Sequence, residues 1–285
     1  MFPAEAAMEV SVIGGYLGVG KTTLVNHILR NASERIAVLV NDFGDINIDK
    51  ELIDASDDST ISLTNGCICC SLVDGFAAAL EAVAAFRPPP SRLVIEASGV
   101  ADPGAVAAYG HAPGLVLDAV IVVADAARLR EQVADPLVGQ TVVSQLTAAD
   151  VIVLNKVDLV DDLATSHQQI SELNPDALLI QASHSEVSLD LLFGREVRKA
   201  QLSNSHIGEF ESRTHESDQP LSRKALETLI NELPKNIQRV KGIVRLTESP
   251  QVPMVFQLVG RKWELRALAD RSNSPEGNQL VAIGP

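Results

Sequence analysis

Residues 64–72 read TNGCICCSL and hold every cysteine of the chain: Cys67, Cys69 and Cys70. Three thiols within four consecutive positions do not make a disulfide framework. Thiolates in a C-x-C-C cluster are soft ligands suited to Zn²⁺ or Cu(I). Zinc usually takes four ligands, so carboxylate, imidazole or water must complete the set. Neighbouring side chains on an extended strand point to opposite faces. All three sulfurs therefore converge only where the chain turns, and Asn65-Gly66 is a turn dipeptide. Where only two bind, Cys69 and Cys70 are the expected pair. The alternative chemistry is redox switching, or buried thiols of purely structural value.

A second cluster carries phosphate chemistry. GYLGVGKT, from Gly15 to Thr22, fits G-x-x-x-x-G-K-[ST], and it follows an apolar strand and opens a helix, the context that motif requires. Gly15, Gly18, Val19 and Gly20 let backbone N–H groups meet phosphate oxygens, and the helix N-terminus adds positive potential. Lys21 is placed to reach the β- and γ-phosphates, and the Thr22 hydroxyl to hold Mg²⁺. NKVD, Asn155 to Asp158, ends a later apolar run. A carboxylate there accepts two hydrogen bonds from guanine, whereas adenine leaves it unpaired, which points to GTP rather than ATP. The alkyl stem of Lys156 can cover the base.

Two further segments carry acidic residues at strand ends. In RLVIEASGVADP, Glu96 occupies the position where phosphate-loop NTPases keep a carboxylate near Mg²⁺, and Gly99 lets the next segment respond to the γ-phosphate. NDFGDINIDK, residues 41–50, is a candidate switch loop with Asp42, Asp45 and Asp49 around a glycine. One of these carboxylates is expected to touch Mg²⁺, position water or bind a second metal. The general base stays open among Asp42, Asp45 and Glu96. The cysteines lie between this loop and Glu96, so nucleotide state can alter the metal site, and any such coupling is reciprocal. His111, in AYGHAP, is a candidate imidazole ligand.

The elements that position these residues alternate. MEVSVIGG, RIAVLVND, RLVIEASG, DAVIVVAD, VIVLNKVD and ALLIQAS are apolar runs of strand length, as parallel strands covered on both faces require. Helical stretches are expected at 72–86, 138–149 and 161–173, besides KTTLVNHILRNA. The pattern predicts an α/β fold, a doubly wound and mostly parallel sheet over residues 1–200. Residues 201–220 are polar and aperiodic and read as a linker. Residues 221–285 read as a small α+β domain, with a helix carrying Leu226, Leu229, Ile230 and Leu233, four strands and Trp263 in its core. The chain has 285 residues and a net charge of −14, which argues against a nucleic-acid binder. It shows no run of about 18 apolar residues and no secretory signal, so no membrane partner and a reducing cytoplasm are expected.

Together, GGYLGVGKTTLVNHIL, VNDFGDINID, LTNGCICCSL, RLVIEASGVADP and NKVDL resemble the CobW-type metallochaperone GTPases, relatives of the nickel-insertion GTPases of urease and hydrogenase. VKGIVRL and VAIG are similar to that family's second domain, which in relatives often continues further. The resemblance implies that Gly15 to Thr23 bind phosphates and Mg²⁺. It also implies that Asn155 and Asp158 read guanine and that Cys67, Cys69 and Cys70 hold zinc, sometimes cobalt or another metal. It implies slow GTP hydrolysis coupled to metal delivery to a client metalloprotein, with homo-oligomerisation left open. A non-catalytic, GTP-dependent metal sensor or scaffold would share the same motifs. Two departures stand out: Asp42 and Asp45 replace the family's usual Glu, and the six histidines are scattered rather than clustered.

Overall fold

The six apolar runs form a parallel sheet, joined at one edge by a seventh strand, TISLT, that is not among them. β1 (Met8–Gly14), β2 (Ile36–Val40), β3 (Thr60–Thr64), β4 (Arg92–Glu96), β5 (Leu115–Asp125), β6 (Val151–Asn155) and β7 (Leu178–Ala182) lie in the order β3-β2-β4-β1-β5-β6-β7. Every pairing among them is parallel. β2, β4 and β6 are buried along their whole length, because helices cover parallel sheets on both faces. The structure, a computed structural model, describes residues 8–40, 60–64, 79–80, 83, 85–194, 211–234, 236–268 and 274–284. Asp42, Asp45, the three cysteines and most of the expected 72–86 helix lie outside these residues.

Helix α1 (Lys21–Asn31) buries Leu24, Val25 and Ile28. Each such side chain contributes about 1.5–3 kcal/mol when removed from water. Further helices with named bounds among the described residues of this unit are α2 (Pro103–Ala107), α3 (Leu129–Ala134), α4 (Gly139–Ala148) and α5 (Ala164–Leu173). Asp102 starts α2, accepting a hydrogen bond from the Gly104 amide at 2.9 Å with Pro103 in the first turn. No helix among the described residues is long and apolar enough to cross a membrane.

A buried ion cluster ties three central strands together. Arg92 on β4 pairs with Glu9 on β1, and its Nη1 lies 2.7 Å from Asp118 Oδ2 on β5. The same Nη1 donates to Ser11 Oγ at 3.1 Å. The register of β1 on β5 shifts between Val10 and Ser11, which pair with Leu117 and Ala119. Asp118 is the extra residue of that bulge, and bulges re-aim side chains. Burial opposes the charge of Arg92, but Asp118 and Glu9 outweigh it and raise its pKa above the ordinary value.

The chain divides into two compact units, Met1–Val187 and Ser188–Pro285, where the sequence placed the boundary at 200. The second unit contains α6 (Leu189–Phe193), β8 (Glu211–Ser217), α7 (Arg223–Glu232), β9 (Arg239–Arg245), β10 (Pro253–Val259), β11 (Lys262–Ala267) and β12 (Asn278–Gly284). Its antiparallel sheet runs β11-β10-β9-β12-β8. Leu226 and Ile230 of α7 bury against Val240, Val244, Phe256, Leu258 and Leu280. Arg239 is fully buried and donates to the Leu191 and Leu192 carbonyls at 3.1 and 2.6 Å, near the C-terminal end of α6.

Two expectations change here. Residues 211–217, read as linker, form β8 and pair along β12 from Ser217 to Glu211. A polar sequence suits that position, because β8 is an edge strand exposed along most of its length. Trp263, read as core, is 37% exposed on edge strand β11 and touches Phe256 with ring centroids 6.3 Å apart.

Candidate phosphate-binding site

The site forms where parallel strands end. β1 ends at Gly14 in the middle of the sheet, and Ile13 and Val40 are both in register with Glu96, the last residue of β4. β5 and β6 end side by side at Asp125 and Asn155. Ligands of open α/β sheets bind outside these carboxyl ends.

Residues Gly15 to Gly20 turn through three glycines with positive φ, at 129°, 75° and 110° for Gly15, Gly18 and Gly20. Gly20 needs both its conformation and its missing side chain. A Cβ there would lie 2.5 Å from Asn155 Nδ2 and 2.9 Å from Ser185 Oγ. Gly20 caps α1 directly, its carbonyl accepting from the Leu24 amide at 2.9 Å.

The loop's carbonyls are tied to protein donors. Lys21 Nζ donates to Tyr16 O at 3.2 Å, and Lys156 Nζ to Gly18 O at 2.8 Å. Asn155 Nδ2 donates to Val19 O at 2.9 Å, and Ser185 Oγ to Gly20 O at 3.1 Å. In a planar trans peptide the C=O and the following N–H point in opposite directions. The N–H groups of Leu17, Val19, Gly20 and Lys21 therefore turn away from these donors. Successive N–H groups presented in this way, ahead of a helix N-terminus, suit an anion.

Thr22 and Glu96 meet on the other side of the loop. The Thr22 hydroxyl donates to Glu96 Oε1 at 2.9 Å, and Glu96 is 3% exposed. A hydroxyl beside a buried carboxylate is an oxygen donor set suited to Mg²⁺. Val19 is buried behind the loop and Thr23 is exposed on α1.

The NKVD residues divide their work. Asn155 is 2% exposed, and both ends of its amide are engaged, Nδ2 on Val19 O and Oδ1 on the Ser185 amide at 2.8 Å. Its side chain thus joins the phosphate loop to the loop after β7, with one amide N–H still beyond these two bonds. Lys156, left-handed at φ 62°, also pairs with Asp125 Oδ2 at 2.6 Å. Asp158 stands exposed on the short 3₁₀ turn Val157–Leu159.

Sequence reasoning missed Ser185 and Asp125. Ser185 is completely buried with φ 58°, and its fixing extends to Val187, whose carbonyl lies 2.7 Å from His27 Nε2 on α1. Asp125 closes β5 and accepts from the Ala127 amide at 3.0 Å.

His111 lies away from the phosphate loop. It ends the 3₁₀ turn Ala108–His111, just ahead of Leu115, which pairs with Met8 at the start of β1. That is the sheet edge opposite Gly14, roughly 20 Å away at about 3.3 Å per residue of β1. The chain reaches the site's edge at Thr64, in register with Val40, before entering TNGCICC. His111 is therefore set apart from the phosphate loop, while the cysteines it was expected to join lie outside the described residues. Among the described residues no cluster of three or more His, Cys, Asp or Glu could hold a metal ion.

Comparison with known proteins agrees with this geometry. The family model described as "CobW/HypB/UreG, nucleotide-binding domain" matches residues 9–181, and that of the "Cobalamin synthesis protein cobW C-terminal domain" matches 210–285. The chain is 35% identical to the zinc chaperone YjiA of Escherichia coli, over 65% of this chain and 61% of that protein, so it spans less than two thirds of that relative's length. It is 30% identical to the zinc chaperone CobW of Pseudomonas aeruginosa, over 98% of this chain and 88% of that protein. It resembles the crystal structure of Zn(II)-bound YjiA GTPase from E. coli with a TM-score of 0.52 and 25% identity, over 98% of this chain and 94% of that one. The strand-end loop, its carbonyl ties and the matched regions lead to one conclusion: this chain belongs to the CobW/HypB/UreG family and carries both its nucleotide-binding domain and the CobW C-terminal domain.

Proposed function

We propose that this protein is a GTP-hydrolysing metallochaperone that carries zinc on Cys67, Cys69 and Cys70 and delivers it to a client metalloprotein. The observation that carries the nucleotide half is the loop whose carbonyls at Tyr16, Gly18, Val19 and Gly20 are all bound by side chains, which turns its N–H groups outward. The relatives named zinc chaperones and the zinc-bound YjiA structure support the metal half. In this account Lys21 leaves the Tyr16 carbonyl for the β- and γ-phosphates of GTP. Asp158 accepts from guanine, and Asn155 and Ser185 hold the loop against the base-side segment. Thr22 and Glu96 would hold Mg²⁺, which neutralises charge on the transferring phosphoryl group when bound. Glu96 is engaged with Thr22, so the water-positioning carboxylate is assigned to Asp42 or Asp45. Delivery would take place in the cytoplasm, where the thiols stay reduced.

The test is phosphate release from GTP by wild type and by Lys21→Ala. Removing a cation aimed at developing charge should lower kcat/KM by about a hundredfold. A variant that turns over GTP at the wild-type rate would show that hydrolysis does not use this loop.

A further inference from the structure

The segment between Glu96 and α2 is fixed at both ends. The Ala97 amide donates to Ile13 O on β1 at 2.8 Å. Pro103 packs so close to Gly14 that a Cβ on that glycine would lie 2.8 Å from Pro103 Cβ. Between these anchors, one side chain from another element grips the loop. Gln145 of α4 is 1% exposed, and its Nε2 donates to Gly99 O at 3.1 Å and to Ala101 O at 2.9 Å. Two carbonyls converging on one group require a donor, so the amide's NH₂ must face them. Gly99 in turn lies against the phosphate loop: a Cβ there would sit 2.5 Å from Leu17 Cδ2 and 3.0 Å from the Leu17 nitrogen. Val100, between the two gripped carbonyls, is 47% exposed.

We infer that Gln145 is a positioning residue for nucleotide sensing. It holds the 98–102 loop against the phosphate loop, ready for the terminal phosphate, so that triphosphate and diphosphate states differ in affinity. The inference rests on the GTP reading above and adds a residue that touches no nucleotide. A ligand shifts such an element only through interactions that differ between its two states. Gln145 acts on that difference, because a diphosphate lacks the group the loop would meet.

The experiment measures affinities of the full chain for Mg²⁺–GDP and for a Mg²⁺–non-hydrolysable GTP analogue. Gln145→Met keeps the length and removes the donor. It should weaken the GTP analogue by about tenfold and leave GDP within about twofold. Gly99→Ala displaces the same loop through its contact with Leu17 and covers the case in which Gln145→Met does not fold. Its added Cβ should push the loop off Leu17 and give the same selective loss. The double variant should lose less than the two single losses combined, since both act through the placement of one loop. Equal losses for both nucleotides, no loss, or a gain for the analogue would overturn the positioning role. Wild-type protein that binds neither nucleotide would instead overturn the GTP reading, and this inference with it.

Discussion

Asp158→Asn should shift the preference of this protein from guanine towards xanthine nucleotides by about ten-thousandfold, measured as the ratio of GTP to xanthosine triphosphate affinities. A carboxylate accepts both N–H groups of guanine, at N1 and at the exocyclic amine. An asparagine presents one carbonyl and one N–H, so one guanine N–H would face another donor. Xanthine carries a carbonyl in place of the amine and matches the amide. Because Asp158 is exposed on a short turn, the exchange leaves the fold alone. The buried Asn155, by contrast, cannot be exchanged without freeing Val19 O and the Ser185 amide. A variant that still preferred GTP over xanthosine triphosphate would take base reading away from Asp158. Direct competition between the two nucleotides measures this.

Arg92→Ala should destabilise the first unit by about 3–5 kcal/mol, because it strands Asp118 in the sheet interior without its cation. For a unit of this size that lowers Tm by roughly 10 °C. The cluster lies at the sheet edge away from the phosphate loop, in register with Glu9 rather than Gly14. Nucleotide affinity of the folded fraction should therefore hold. The raised pKa of Arg92 fixes the sign with pH. Its contribution is complete below the ordinary arginine value and fades only as pH rises through the higher folded value, so Arg92 imposes no pH dependence near neutrality. Thermal denaturation of wild type and variant at pH 7 measures the effect. A Tm within about 2 °C of wild type would mean the cluster contributes almost nothing.

What the sequence revealed was what repeats or what is dense. Continuous apolar runs announced six parallel strands, and the glycine-lysine-threonine run announced the loop after β1. Three glycines and a lysine within eight positions have few other uses. Gln145 and Ser185 were not legible, because each acts on a backbone atom brought near only by the fold: Gly99 O and Ala101 O for one, Gly20 O for the other. The pairing of Asp118 with Arg92 was not legible either, since the bulge at Asp118 leaves no mark in the local pattern. Edge strand β8 has the sequence ESRTHES, whose exposure removes the alternation that reveals a strand. His111 lies close to Glu96 along the chain and far from it in space, because α2 and the turn after it carry the chain back across the sheet.

The central claim is that nucleotide state sets metal affinity, and a competitive Zn²⁺ titration of the reduced protein tests it most directly. It is run with Mg²⁺ alone, with Mg²⁺–GDP and with a Mg²⁺–non-hydrolysable GTP analogue. The account predicts zinc affinities that differ by about tenfold or more between the two nucleotide states, about 1.4 kcal/mol of coupling. It also predicts that Cys69→Ser/Cys70→Ser abolishes the high-affinity binding. Equal zinc affinities in all three conditions would contradict it, leaving a nucleotide site and a metal site that share a chain without exchanging free energy.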